Sequence, residues 1–131
     1  MRITRLLPVF GLMTSLLGLG CSLTQPNPVV GTWKLTTLNA KPLPYFESAS
    51  YILSSDQLTI SNNGTYVRTY TVTSSSYGGA SGTYTEPGTY TLDGSSVAFT
   101  RADNPTKIRR GTLDGASITV TESGVYDYRK Q

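Results

Sequence analysis

Residues 91–100 read TLDGSSVAFT and residues 112–121 read TLDGASITVT, two stretches that match position for position with Asp-Gly at the same place in each. Around each Asp-Gly, apolar and polar residues alternate with a period of two, which puts one set of side chains on one face of an extended chain. Asp-Gly tolerates the two positive φ angles of a type I′ turn, so each stretch is expected to form a tight β-hairpin. A second echo, LTISNNGTY at 58–66 and ITVTESGVY at 118–126, repeats the plan: alternating residues, a glycine-bearing turn, a tyrosine. The same signals predict strands near 31–39, 50–55, 57–62, 65–73, 83–92, 96–101, 107–113 and 116–128, the last split by a turn at Gly124. No run has helical periodicity. The chain is therefore expected to be all-β, an up-and-down antiparallel meander. Left open, such a meander has two unpaired edges and an uncovered face, so it is expected to close into a small barrel of about eight strands.

The first twenty residues stand apart from this plan. Arg2 and Arg5 precede an uncharged, mostly apolar run, LLPVFGLMTSLLGLG at 6–20, which is the layout of an export signal. Cys21, the one cysteine of the chain, follows directly. GLGC resembles the lipobox of bacterial lipoproteins, in which a small residue precedes a cysteine that receives a diacylglyceryl group before the signal is removed. The resemblance implies a lipoprotein signal peptide over 1–20, lipidation of Cys21, a polar proline-bearing tether over 21–28, and a folded domain over 29–131. It also implies a bacterial cell-envelope protein held on the membrane by its lipid. Ser22, in place of the Asp that retains lipoproteins at the inner membrane of enteric-type bacteria, points to the outer membrane. Removing Arg2 and Arg5 from eleven basic residues leaves nine against eight acidic, a net charge of +1. So weak a field argues against a nucleic-acid partner, and KIRR at 107–110 is expected to be the wet side of a strand.

At the head of the meander stands VVGTWKLTTLNAKPLP, residues 29–44. Gly31-Thr32-Trp33 resembles the Gly-x-Trp motif that opens the first strand of lipocalins and related calycins, and the Pro-Leu-Pro turn resembles small bacterial lipocalin-like lipoproteins. The resemblance implies an eight-stranded barrel with Trp33 at its closed end, behind Gly31, and an arginine of the last strand lying across the indole. Arg129, in YDYRK, is the matching candidate. A guanidinium can stack flat on an indole while its charge meets the electron-rich ring.

Chemistry of the catalytic kind is not expected. The chain has no histidine, its one thiol is assigned to the lipid, and its carboxylates fall at turns or are scattered. Asp93 and Asp114 read as turn residues, Asp103 lies in ADNP and Glu86 precedes Pro87-Gly88, leaving Glu47, Asp56, Glu122 and Asp127 without paired spacing. No metal site or cofactor is expected on the same grounds. What remains is an aromatic interior. Period-two alternation places Tyr66, Arg68, Tyr70 and Val72 on one face of a strand, with Trp33, Leu35, Leu58, Ile60, Tyr90 and Tyr128 among the inward residues of others. A barrel of this size is either filled by its side chains or holds one small ligand. Tyr66, Arg68, Tyr70 and Tyr90 are the candidate ligand contacts, suited to an amphipathic guest whose polar head meets Arg68. The Gly/Ser-rich stretch 74–82 is expected to be a mobile loop at the mouth through which the guest enters.

Two functions stay open: a non-catalytic small-ligand binder, and a filled barrel that serves as an envelope interaction module for a protein partner of unknown identity. Lipidation has a direct test. Cys21→Ala is expected to abolish incorporation of labelled palmitate and to move the protein from the detergent phase to the aqueous phase; unchanged partitioning would count against the anchor.

Overall fold

Each long alternating run becomes a strand. The computed structural model describes residues 26–74 and 81–131; the expected signal peptide, Cys21 and most of the 74–82 loop lie outside these. Ten strands occur among the described residues: β1 (Gly31–Leu38), β2 (Lys41–Pro42), β3 (Tyr45–Ser48), β4 (Tyr51–Ile60), β5 (Thr65–Ser74), β6 (Gly82–Asp93), β7 (Ser96–Arg101), β8 (Ile108–Asp114), β9 (Ser117–Thr121) and β10 (Val125–Lys130). From β4 to β10 each strand pairs antiparallel with the next, β10 pairs with β1, and β1 returns to β4. This is the expected up-and-down barrel of eight strands, closed on itself. The short β2 and β3, which alternation did not signal, pair with β1 and β4 outside that ring.

The runs expected as separate strands at 50–55 and 57–62 are one strand, β4. A register shift between Leu53 and Ser55 explains the false break. One extra residue in a strand reverses which parity faces inward, so Leu53 is buried before the bulge and Asp56, Leu58 and Ile60 after it. β1 does the same between Leu35 and Thr37, carrying an inward series from Trp33 and Leu35 to Leu38.

The Asp-Gly hairpins are tight, with a different turn chemistry from that expected. Asp93 pairs with Ser96 and Asp114 with Ser117, so Gly94 and Gly115 are the first central residues of their turns. Their φ angles are +59° and +55°, and no other turn residue there is positive, which is the type II′ arrangement. The type I′ turn lies elsewhere, between β1 and β2, where Asn39 (φ 51°) and Ala40 (φ 61°) join the paired Leu38 and Lys41.

The barrel end that carries the start of β1 and the turns after β4, β6 and β8 is closed. Trp33 is fully buried there, and its indole Nε1 donates to the Val29 carbonyl at 2.8 Å. Asn27 organises the approach: its carbonyl accepts from Val30 N at 3.1 Å and its side-chain Nδ2 donates to the Tyr90 hydroxyl at 3.2 Å. Asn27 and Pro28, expected in the tether, therefore sit against the closed end. Gly31 has φ +136°, and a Cβ on it would lie 3.0 Å from Lys130 Cε, so both backbone and space favour glycine.

The residue against Trp33 is Lys130, not Arg129. Lys130 pairs directly with Trp33 and holds its Nζ 5.3 Å from the ring centroid, donating to the Pro28 carbonyl at 2.9 Å. Arg129 pairs with Lys34 on the outer face and donates to the Ser117 hydroxyl. Alternation is the reason, because Tyr128 is buried and the next inward position is residue 130.

Ala40 holds a left-handed backbone without glycine's freedom, which costs roughly 1–2 kcal/mol. Ala40→Gly is expected to raise the unfolding free energy by about 0.5–1 kcal/mol after glycine's extra chain entropy is subtracted. Chemical denaturation of the two proteins checks this; a lower midpoint in the glycine variant would contradict it.

Candidate functional site

The interior changes character from the closed end to the mouth. The lower part is filled by Val29, Trp33, Leu35, Ile60, Val97 and Ile118, all buried. Above it lie two charged clusters, each built by inward alternation on neighbouring strands.

The first joins β4 and β5. Asp56 is 1% exposed, and Arg68 clamps it, with Nε 3.0 Å from Oδ1 and 2.9 Å from Oδ2 while Nη2 also bonds Oδ2. Burial works against the Arg68 cation, and the hydrogen bonds and charge of Asp56, together with Tyr128 and Tyr126, more than offset it, so the guanidinium is held more firmly protonated than usual. The Tyr128 phenol beneath is pushed up, first by burial and then by the Asp56 charge. The Arg68 guanidinium carbon also stands 4.7 Å from the centre of the Tyr70 ring and 5.5 Å from that of Tyr126.

The second cluster joins β5, β6 and β8. Glu86 and Arg109, 7% and 5% exposed, form an ion pair, and the Tyr66 hydroxyl donates to Glu86 Oε1 at 3.1 Å. Arg101 Nε lies 3.4 Å from the other Glu86 oxygen. The Tyr66 ring meets Phe99 edge-on at 5.1 Å and lies flush on Gly88, where a Cβ would come within 2.5 Å of it. Glu86 is thus an inward residue of β6, within the strand expected over 83–92. Burial raises the Tyr66 phenol, against the opposing charges of Arg109 and Arg101.

At the mouth, Leu38, Tyr45, Glu47, Tyr51, Leu53, Arg68, Tyr70 and Tyr126 line a cavity of about 160 Å³. The strands that supply it run to this end: β1 finishes here, β4 begins here, and β3 crosses the rim. Tyr70 is stacked on Tyr84 with ring centres 5.5 Å apart. The Tyr51 phenol is pushed up by burial first, then by Tyr70 and Glu47, with Arg68 opposing. Where the 74–82 loop leaves and returns, Ser74 N donates to Ser81 Oγ at 2.7 Å.

The family model of the lipocalin-like domain matches residues 29–131. The chain belongs to the lipocalin-like domain family. No curated protein and no solved structure gives a significant match to it.

In this lipocalin-like barrel the four candidate ligand contacts separate. Arg68 and Tyr70 line the mouth cavity; Tyr66 and Tyr90 do not. Tyr66 belongs to the Glu86 cluster, and Tyr90 donates to the Ser61 carbonyl at 2.9 Å near the closed end. Strand direction accounts for the split, since β5 rises from the closed end through Tyr66 to Tyr70 while β6 descends to Tyr90. Asp56, Glu86, Arg109, Tyr45, Tyr51 and Tyr126 are the partners that spacing along the chain did not single out. Register around the 61–64 turn carries a signal for one of them: with Ile60 opposite Tyr66, Asp56 falls opposite Tyr70, one inward step from Arg68.

Removing one member of a buried pair leaves the other charge stranded, at a cost of about 3–5 kcal/mol. Asp56→Ala is expected to lower stability by that amount in denaturant unfolding. Asp56→Leu combined with Arg68→Met should recover most of the loss, and an additive penalty from the double change would contradict the pairing.

Proposed function

We propose that this lipocalin-like protein is a non-catalytic binding protein of the bacterial envelope, anchored through Cys21, that receives a small ligand in its tyrosine-lined mouth. The mouth cavity is the observation that supports the reading: four tyrosines and two charged residues converge on about 160 Å³ above a packed interior. Sites for drug-sized molecules run to roughly 300–1,000 Å³, so this one suits a small molecule or the end group of a larger one, not a whole acyl chain. The position of residue 26 supports the anchoring geometry. Four residues lie between Cys21 and Pro26, five steps of chain with a reach of about 17 Å, and Pro26 leads into the closed end. A lipid on Cys21 would keep that end toward the membrane and turn the mouth outward.

One observation favours the second reading, an interaction module. A largely apolar groove of about 430 Å³ runs over the outer face of β5, β6 and β7, lined by Thr65, Val67, Pro87, Thr89, Thr100, Ala102 and Pro105 among others. Native mass spectrometry of the protein purified from its own host separates the two. A small molecule is expected to co-purify, to lose most of its occupancy in Tyr70→Ala and to keep it in Val67→Glu. An empty mouth together with a protein partner lost only in Val67→Glu would establish the module instead.

A further inference from the structure

We infer that the mouth selects a small organic cation, an amine or quaternary ammonium, held between the Glu47 carboxylate and the tyrosine rings. This rests on the reading of the mouth as the binding site and names the ligand class it takes.

The charge balance is the first argument. Arg68 is the cation that lines the cavity, and both oxygens of Asp56 engage it. Its charge is therefore cancelled from within the barrel. Glu47 is the remaining lining charge. Among the described residues the carboxylates of Asp56, Glu86, Asp103 and Glu122 stand in ion pairs, and Glu47 stands in none. Lys41, opposite Leu38 on β2, is outside the lining. Counting Asp56 behind Arg68, the site carries one positive and two negative groups, and the excess sits at the rim where a ligand arrives.

The second argument is the aromatic surface. The faces of phenol rings attract cations, and ammonium groups are recognised by clusters of them. Tyr70 and Tyr126 already accept a cation in this way from Arg68, at 4.7 and 5.5 Å. Tyr45 and Tyr51 extend the same surface toward Glu47. A cavity of about 160 Å³ accommodates a methylated or aryl ammonium group and excludes a long chain.

Three probes with one skeleton test this: benzylammonium, benzyl alcohol and phenylacetate, titrated into the full chain in detergent micelles with tyrosine rings followed by NMR. Benzylammonium is expected to saturate with shifts at Tyr51 and Tyr126, about tenfold more tightly than the alcohol, while phenylacetate does not saturate. Glu47→Gln should bring the ammonium close to the alcohol and leave the alcohol unchanged; because Glu47 is exposed, the fold should tolerate the change. Preference for phenylacetate, equal affinities, or an ammonium preference that survives Glu47→Gln would overturn the inference and leave the mouth as a binding site of another class. If none of the three saturates at these tyrosines, the binding-site reading fails with it.

Discussion

Strand β1 hydrogen-bonds on both sides, to β10 through Trp33–Leu38 and to β4 through Gly31–Lys34, and the rest of the molecule depends on that double engagement. An open meander of these strands would expose backbone donors and acceptors along two edges. With β1 paired on both flanks, every inward side chain faces another across a common interior. The sequence at the joint is shaped by this demand. Gly31 leaves room for Lys130, and Trp33 fills the space where the strands converge, a burial worth roughly 4–6 kcal/mol before ordering costs.

The closed barrel then divides its interior. An apolar floor needs only volume, and branched and aromatic residues meet that need. The upper half holds charges, which in a narrow bore are tolerable only as satisfied pairs. Asp56 with Arg68 meets that condition; Glu86 pairs with Arg109, whose Nε is buried without a hydrogen bond and lies 3.9 Å from Glu122 Oε2. At the mouth, Arg68 is already neutralised by Asp56 and so is held in place without a guest, whereas Glu47 at the rim is not.

The architecture was legible from the sequence because it rests on local signals. Alternation of period two, paired Asp-Gly turns and the lack of helical periodicity are written residue by residue, and closure follows from the need to cover edges. The site was less legible, for a physical reason. One inserted residue at Ser54 reverses the inward parity of β4, so Asp56 looked like a break between two strands when it is the partner of Arg68. Glu86 has no partner near it in the chain, and only the closed barrel brings it to Arg109 and Tyr66; beside it Pro87 faces outward and Gly88 makes room for the Tyr66 ring. The family resemblance points to Arg129 as the partner of Trp33, whereas the alternation that puts Tyr126 and Tyr128 inward selects Lys130. Heights within the barrel depend on strand direction, and that is why Tyr66 and Tyr90 parted from Tyr70.

The way the chain enters the barrel has a mechanical side. From Pro26 it passes through Val29, which accepts the Trp33 indole hydrogen bond, and on into β1, held by ladders to two neighbours. Tension arriving along the leading segment is shared at once between the Trp33 contact and those ladders, at the end of the barrel remote from Tyr51 and Tyr126. The rim at Tyr51 and Tyr126 thus stands mechanically apart from the point where the leading segment joins the barrel.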